Sequence, residues 1–404
     1  MEKTVCELFA GVGGFRVGLE TASKDWKTVW FSQWEPGKKI QHAHNCYVHH
    51  FGDIDENTGI DISLVDKNSI PNHNLLVGGF PCQDYSVARP LPNSNGIEGK
   101  KGVLWWQIRD VLIAKKPNFV LLENVDRLLK SPATQRGRDF GVMLSCFANL
   151  GYFVEWRVIN AAEYGGPQRR RRIFIFAYHK DTKYAQKTKK NTAYEIISEK
   201  GFMAKAFPIK KQNIFIEKAL YKISSNIPEV SENFKYNFEN AGFMRDFEIY
   251  TDNVEPLEAK EFEPIVLRSI LDHNVDEKYY LNGNSAKWEY LKGSKRIERT
   301  SKSGYKYTFS EGAISYPDSL DMPARTMLTS ESSLNRSTHV IEDPETGRKR
   351  LLTPQEAEAI QGFEKGWTDT GMPEKFRYFC MGNALVVPMI TRMGKVLNKI
   401  FKEE

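Results

Sequence analysis

Six short apolar runs punctuate the first 178 residues of the chain: TVCELF, TVWFSQW, NLLVGGF, NFVLLENV, FVEWRVI and RIFIFAY. Their β-branched and aromatic content, with turn-forming residues between them, reads as strands. Stretches with helical spacing lie between, among them FRVGLETASK, GVLWWQIRDVLIAKK and FGVMLSCFANLG. Strands alternating with helices predict βαβ units, hence an α/β fold with a doubly wound, mostly parallel sheet. Right-handed crossovers in such a sheet put ligands at the C-terminal ends of the strands.

The pattern changes after residue 178. HKDTKYAQKTKKNTAYE is lysine-rich, and the chain to about residue 320 has weak periodicity and many aromatic, Lys, Asn and Ser positions. A helical pattern returns at TPQEAEAIQGF, where Thr353 and Glu356 have the spacing of a capping box. CMGNALVVPMITRMGKVLNKI follows, a glycine turn leading into an amphipathic helix that is expected to pack back on the first domain. The expected organisation is therefore a first domain over 1–178, a second, smaller one with its linker over 179–345, and a returning C-terminal segment over 346–404.

Composition narrows the class. With 404 residues, 41% hydrophobic and 27% charged, the chain is long enough for two domains and ordinary for a globular protein. A net charge of +6 permits a polyanionic partner without requiring one. The five cysteines, Cys6, Cys46, Cys82, Cys146 and Cys380, form no CxxC pair and read as free thiols in a reducing compartment. No run reaches the length of a membrane span and no leader pattern opens the chain, so a cytoplasmic protein without a membrane partner is expected.

Candidate chemistry gathers at the predicted strand ends. The first strand runs into Phe9-Ala10-Gly11-Val12-Gly13-Gly14 and then a helix, a loop whose backbone can approach a ligand closely. Taken alone, this loop fits a packing turn almost as well. Glu35 ends the second strand, where doubly wound nucleotide folds place an acid for ribose hydroxyls, although a solvated acid before Pro36 reads equally well. Asp61 and Ile62 lie near the end of a candidate third strand, and the three features together favour an adenosine-containing ligand. Cys82 follows Pro81 at the end of NLLVGGF and opens a long polar loop, the setting of a presented thiol rather than a core cysteine. Glu123 ends the next strand and would open on the same sheet edge, where burial could keep its carboxyl protonated for transfer to a base. In GGPQRRRRIFIFA, two of the four arginines are expected as surface charge. Arg170 and Arg172 share a face of an extended segment and could hold a carboxylate, a phosphate or a base carbonyl oxygen.

FAGVGG, GGFPCQ, ENV, QRRRR and the late GNALVVP, in this order, resemble the DNA cytosine-5 methyltransferase family of the prokaryotic restriction–modification type. The resemblance covers residues 4–178 and 323–400 and implies the S-adenosylmethionine-dependent methyltransferase fold. It implies Cys82 as the nucleophile that adds to C6 of a flipped-out cytosine, and Glu123 as the group that protonates or hydrogen-bonds N3. Arg172 would bind the cytosine carbonyl oxygen, and Arg170 would support the site. The cofactor would be S-adenosyl-L-methionine, held by Phe9, Ala10, Gly11, Gly13, Gly14, Glu35, Asp61, Ile62, Phe80, Leu104, Asn383, Ala384 and Leu385. One departure stands out: Pro36 follows the ribose-binding acid where the family often has an aromatic residue, and Trp34 precedes it. A variable region over about 180–322 would read double-stranded DNA. Its segment from Asn282 to Phe309 carries seven basic against two acidic side chains, interleaved with Trp288, Tyr290, Tyr305, Tyr307 and Phe309. The resemblance also implies a cognate restriction endonuclease acting on the same site without being bound, and a monomer is expected.

HAHNCYVHH, residues 42–50, places histidines and Cys46 close together, but no second ligand pair accompanies it, so no metal is expected. Two rival readings are the same reaction on RNA, as in a tRNA-directed branch with the same motifs, and a DNA-binding protein with a silent site. The intact Cys82, Glu123 and Arg172 set argues against the second. An NAD-dependent dehydrogenase leaves Cys82 and Glu123 unexplained.

Overall fold

The computed structural model describes residues 1–80, 104–210, 221–257, 262–281, 283, 285–301 and 304–404. The six predicted strands all form: β1 (Thr4–Leu8), β2 (Lys27–Ser32), β3 (Leu75–Gly79), β4 (Phe119–Val125), β5 (Tyr152–Asn160) and β6 (Arg171–His179). So do the helices between them, α1 (Gly14–Ala22), α2 (His42–Phe51), α3 (Leu104–Lys115) and α4 (Arg138–Asn149). β2, β1, β3 and β4 lie parallel, and β6 enters antiparallel between β4 and β5. The strands read as continuous apolar runs because both faces are covered. Val5, Leu75, Val77, Phe119 and Leu121 pack to one side, and Cys6, Leu8, Leu76, Val120 and Leu122 to the other.

The sheet does not stop at residue 178, the expected domain boundary. The segment beyond it holds α5 (Lys183–Thr188), α6 (Ala193–Glu195), α7 (Phe202–Ala206), β7 (Tyr221–Lys222), α8 (Ile227–Asn233), β8 (Ala241–Arg245) and β9 (Glu248–Asp252). Its three strands extend the sheet to the order β2-β1-β3-β4-β6-β5-β8-β9-β7. Buried charges on β5 fasten the helices of this segment. Glu155 accepts from the Met203 amide at 3.0 Å, and Arg157 donates to the carbonyls of Phe207, at 2.8 Å, and Ile197. These polar ties add to an apolar contribution from Ile196, Ile197, Phe202, Met203, Phe207 and Phe243, spread over several short helices and strands rather than one long periodic face.

Further on lie α9 (Ser285–Lys292), the antiparallel pair β10 (Lys295–Thr300) and β11 (Lys306–Glu311), and the pair β12 (Val340–Glu342) and β13 (Lys349–Leu351). The chain then forms α10 (Pro354–Gln361), with the capping box of Thr353 and Glu356 in place, α11 (Glu374–Asn383) and α12 (Val387–Glu403). α12 does return to the first part of the chain. Gly18 of α1 faces Ile390 so closely that an added Cβ would lie 2.5 Å from the Ile390 Cβ.

One expected element is replaced. Asp61 does not end a strand; it caps a 3-10 turn, Ile62–Leu64, by accepting from the Ser63 amide. The preceding segment is held by side-chain hydrogen bonds, within itself and to β2, instead of pairing. Thr58 donates to Asp53, and Asp55 accepts from the Trp30 indole at 2.9 Å.

Candidate active site

The parallel strands end on one edge, and the chain's candidate chemistry collects there. Leu8 is in register with Ser32 and Gly78, and Gly79 with Glu123. Because β6 runs the other way, it is the start of β6 that reaches this edge, with Arg172 opposite Val125.

Glu123 is only 9% exposed, and its Oε1 lies 2.9 Å from the Arg172 Nε. Gly79 lies beside the carboxylate, where a Cβ would stand in van der Waals contact, 3.4 Å from the Glu123 Oε2. Burial pushes the Glu123 carboxyl above its ordinary value, while Arg172 and Arg170 pull it back without cancelling the rise. The arginine run alternates as expected: Arg169 and Arg171 are exposed, Arg170 and Arg172 turn inward. Arg170 is spent on the protein, donating to the carbonyls of Met327 at 2.9 Å and Gly382 at 2.8 Å. Burial and the neighbouring Arg172 disfavour its charge and Glu123 supports it; an arginine there stays a cation at neutral pH. Arg170 is therefore a positioning residue, tying the strand start to two distant segments.

Cys82 lies outside the described residues, but its approach is fixed. Asn124 donates from Nδ2 to the carbonyl of Phe80 at 2.8 Å, so the residue after Glu123 anchors the end of β3 two positions before the cysteine. The other four thiols are buried, and burial raises them to about 11 for Cys46 and Cys146 and further for Cys6 and Cys380. None of the four suits thiolate chemistry.

The glycine loop opens beside this group. Phe9, Gly11 and Gly13 take positive φ values of 56°, 57° and 93°, a path that only glycine follows readily at two of the three positions. Gly11 donates to Gln33 at 2.7 Å, Gly13 caps α1, and a Cβ on Gly11 would meet nothing within 4 Å. The late motif closes on this loop: Leu385 packs 3.0 Å from where a Gly14 Cβ would stand, Ala384 ends α11 and Asn383 is exposed. Glu35 accepts from the Ala43 amide at 3.2 Å, at the start of α2, and burial raises its carboxyl. Phe80 is buried, with half-buried Leu104 packed against the same core, and Ile62 is buried beside Asp61.

Three residues of this region carry no motif in the sequence: Glu7, Gln33 and Trp367. Glu7 lies fully buried under the loop, accepting from the Tyr47 hydroxyl at 3.0 Å, with its Oε1 unpartnered among the described residues. Burial pushes it up to about 7, against Tyr47 and Arg16. Trp367 donates from its indole to the Val12 carbonyl at 2.8 Å, and Gln33 holds Gly11. An acid inside an otherwise apolar strand, TVCEL, was the available signal for Glu7.

These features fit a cationic adenosine derivative such as S-adenosylmethionine. The open space over Gly11 admits close approach, Glu35 offers a carboxylate for hydroxyls, and the orphan oxygen of Glu7 suits a positive group. The histidine segment turns out to be occupied otherwise. His44 meets Thr58 at 2.9 Å, and His50 stacks on Trp367 at 3.6 Å while bonding to its carbonyl. Among the described residues no group of three or more His, Cys, Asp or Glu side chains could hold a metal.

The model of the family described as C-5 cytosine-specific DNA methylase matches residues 3–399. The chain belongs to that family. It is 51% identical over 401 residues to the type II methyltransferase M.Sau3AI of Staphylococcus aureus, covering 98% of this chain and 95% of that one. It is 36% identical to the type II methyltransferase M.NgoBI of Neisseria gonorrhoeae over 178 residues, 44% of this chain and 51% of that one. Among solved structures, a methyltransferase of Entamoeba histolytica, EhMeth, superposes with a TM-score of 0.57 at 15% identity, covering 100% of this chain and 99% of that one. At that identity the likeness speaks for the α/β methyltransferase fold alone. It is a cytosine-5 DNA methyltransferase of the restriction–modification kind. Among the described residues no helix is long and apolar enough to cross a membrane.

A second assembly of charges links this edge to the later chain. Ala324 exchanges backbone hydrogen bonds with Pro167 and Arg169, and Thr326 donates to the Arg169 carbonyl. Next to them Arg325 holds Asp318 through two contacts and the carbonyls of Ser337 and Thr338. Lys292 reaches the Thr338 carbonyl, and Arg336 donates to Leu291 at 3.0 Å, Gly293 at 3.1 Å and Gly312. The β10–β11 pair is thereby fixed at its base to the segment that holds Arg170.

Proposed function

We propose that the protein transfers a methyl group from S-adenosylmethionine to C5 of a cytosine flipped out of a specific duplex DNA sequence, through a covalent bond from Cys82 to C6. The observation that carries this reading is the buried Glu123–Arg172 pair beside Gly79, at the strand end that leads into Cys82. Bound S-adenosylmethionine supplies an electrophilic methyl group. The chain's own residues prepare the ring. The Cys82 thiolate adds to C6, the C5–C6 π pair shifts to C4–C5 and the C4–N3 π pair moves onto N3, leaving an enamine whose C5 is nucleophilic. Glu123, whose carboxyl is raised by burial, donates a proton to N3 and offsets the charge that arrives there. Arg172 donates to the carbonyl oxygen, and Arg170 keeps the strand start in place. After C5 carries the methyl group, loss of its proton re-forms the double bond and expels the Cys82 thiolate. The base must leave the duplex to meet these groups.

Sequence reading falls to the chain between about 179 and 345, with residues 267–345 as its DNA-facing part. The protein is proposed to act as a cytoplasmic monomer, paired in the cell with an endonuclease for the same site. Transfer of labelled methyl to unmethylated duplex DNA, run beside structured RNA and Cys82→Ser, tests the reading. Label on DNA that disappears in the variant supports it. Label on RNA alone, or unchanged labelling in the variant, overturns it.

A further inference from the structure

The β10–β11 ribbon has two unlike faces. In register, Lys295, Ile297 and Arg299 of β10 share a side with Glu311, Phe309 and Tyr307 of β11. That side satisfies itself: Lys295 pairs with Glu311 at 3.9 Å, Arg299 lies 4.0 Å over the Phe309 ring, and Arg336 reaches Glu311 at 3.7 Å. The other side carries Arg296, Glu298, Thr300, Lys306, Thr308 and Ser310, all exposed. Their side chains have no hydrogen-bond or ion-pair partner among the described residues.

A two-stranded hairpin is marginal by itself, so its placement calls for support from outside. Here the support is polar and specific, because one guanidinium, that of Arg336, holds carbonyls before β10 and after β11. The same arm leads through Thr338, Arg325 and Thr326 to Arg169, next to Arg170 of the active site. A ribbon presented at fixed distance from a cytosine-modifying site, with one face left unsatisfied, fits the major groove, which admits a two-stranded ribbon. Its six-residue strands span roughly 20 Å, about six base-pair steps. The exposed face also holds the side-chain types that discriminate base edges: arginine for guanine, glutamate for the cytosine amino group, and hydroxyls for either donor or acceptor edges.

Resting on the reading above, we propose that this face of the ribbon enters the major groove of duplex DNA, with Arg296, Glu298 and Thr308 as specificity-determining residues and Lys306 meeting phosphate. The opposite face, with Tyr307, turns away from the bases.

The test uses the full chain and a randomised duplex library, methylation being read by cytosine-conversion sequencing at two salt concentrations. Arg296→Ala and Glu298→Gln are each expected to relax preference at one base pair by about 5- to 150-fold while other positions keep theirs. Lys306→Ala is expected to slow methylation uniformly and flatten the salt dependence, and Tyr307→Ala to keep the wild-type profile. Unchanged preferences in Arg296→Ala and Glu298→Gln, with wild-type activity, would overturn the assignment and leave the methyltransferase reading standing. A uniform loss in both would overturn base reading in favour of phosphate contact. Wild-type activity on RNA and none on the library would instead overturn the reading on which the proposal rests.

Discussion

Replacing Glu123 by glutamine separates chemistry from stability. The substitution keeps the side chain's shape but removes its proton-donating carboxyl and its ion pair with Arg172. Proton transfer from a placed acid is worth about 10²- to 10⁴-fold in rate, or roughly 2.7–5.4 kcal/mol of transition-state stabilisation. Stability should respond differently. Burial outweighs both arginines in setting the Glu123 carboxyl, so the ionised form is already disfavoured in the folded protein. A neutral amide removes that penalty. Arg172 keeps 17% side-chain exposure and is not stranded without water. Unfolding free energy is therefore expected within about 1 kcal/mol of wild type. Single-turnover methyl transfer, with DNA and cofactor affinities and urea unfolding measured beside it, provides the assay. Sign follows from the raised carboxyl: the wild-type rate should fall as pH rises through the Glu123 titration, and that limb should vanish in the variant. A rate loss below tenfold, or a loss that tracks unfolding, would exclude Glu123 as the proton donor.

Two further substitutions probe groups outside the motifs. Glu7 is raised from 4.5 to about 7, so its relative contribution to stability is complete below about pH 4.5 and lost as pH rises through about 7. Glu7→Gln should thus gain on wild type by up to about 3 kcal/mol between pH 5 and pH 8 in urea unfolding. The same change should abolish the rise in S-adenosylmethionine affinity expected as Glu7 ionises, measured by calorimetry; an unaltered affinity profile would place the cationic group elsewhere. Arg350 is fully buried, donating to Asp343 at 2.6 Å and to both oxygens of Glu356 at 2.9 and 2.8 Å. Arg350→Met leaves two buried carboxylates without their cation and should cost about 3–5 kcal/mol, seen as a lowered urea midpoint.

The six strands of the first 178 residues were legible because both faces of the sheet are covered, which writes each strand as an uninterrupted apolar run. Their C-terminal edge followed from the alternation with helices, and with it the convergence of Glu123 and the segment leading to Cys82; the reversal of β6, which brings Arg172 there, did not. β8 and β9 were not legible. Their two-residue turn is Asp246-Phe247, both at positive φ, where the usual signal is Asn-Gly or Asp-Gly. Asp61 was misplaced on a strand because it caps a turn with its own side chain, accepting from the Ser63 amide, and a single capping side chain leaves no periodicity. Arg170 illustrates a different limit: its inward face could be read from alternation, but its partners Met327 and Gly382 lie more than 150 residues away. The clamp of Arg336 on the ribbon is equally silent in sequence, since it binds carbonyls and no residue type marks them.

The most direct test of the covalent mechanism replaces cytosine by 5-fluorocytosine throughout a duplex containing unmethylated sites. Release of Cys82 requires loss of a proton from C5, and fluorine cannot leave in its place. With S-adenosylmethionine present, a denaturation-resistant protein–DNA complex is expected that maps to the peptide containing Cys82 and is absent in Cys82→Ser. Ready methylation of ordinary duplex DNA with no such complex, or a cross-link at another residue, would contradict it.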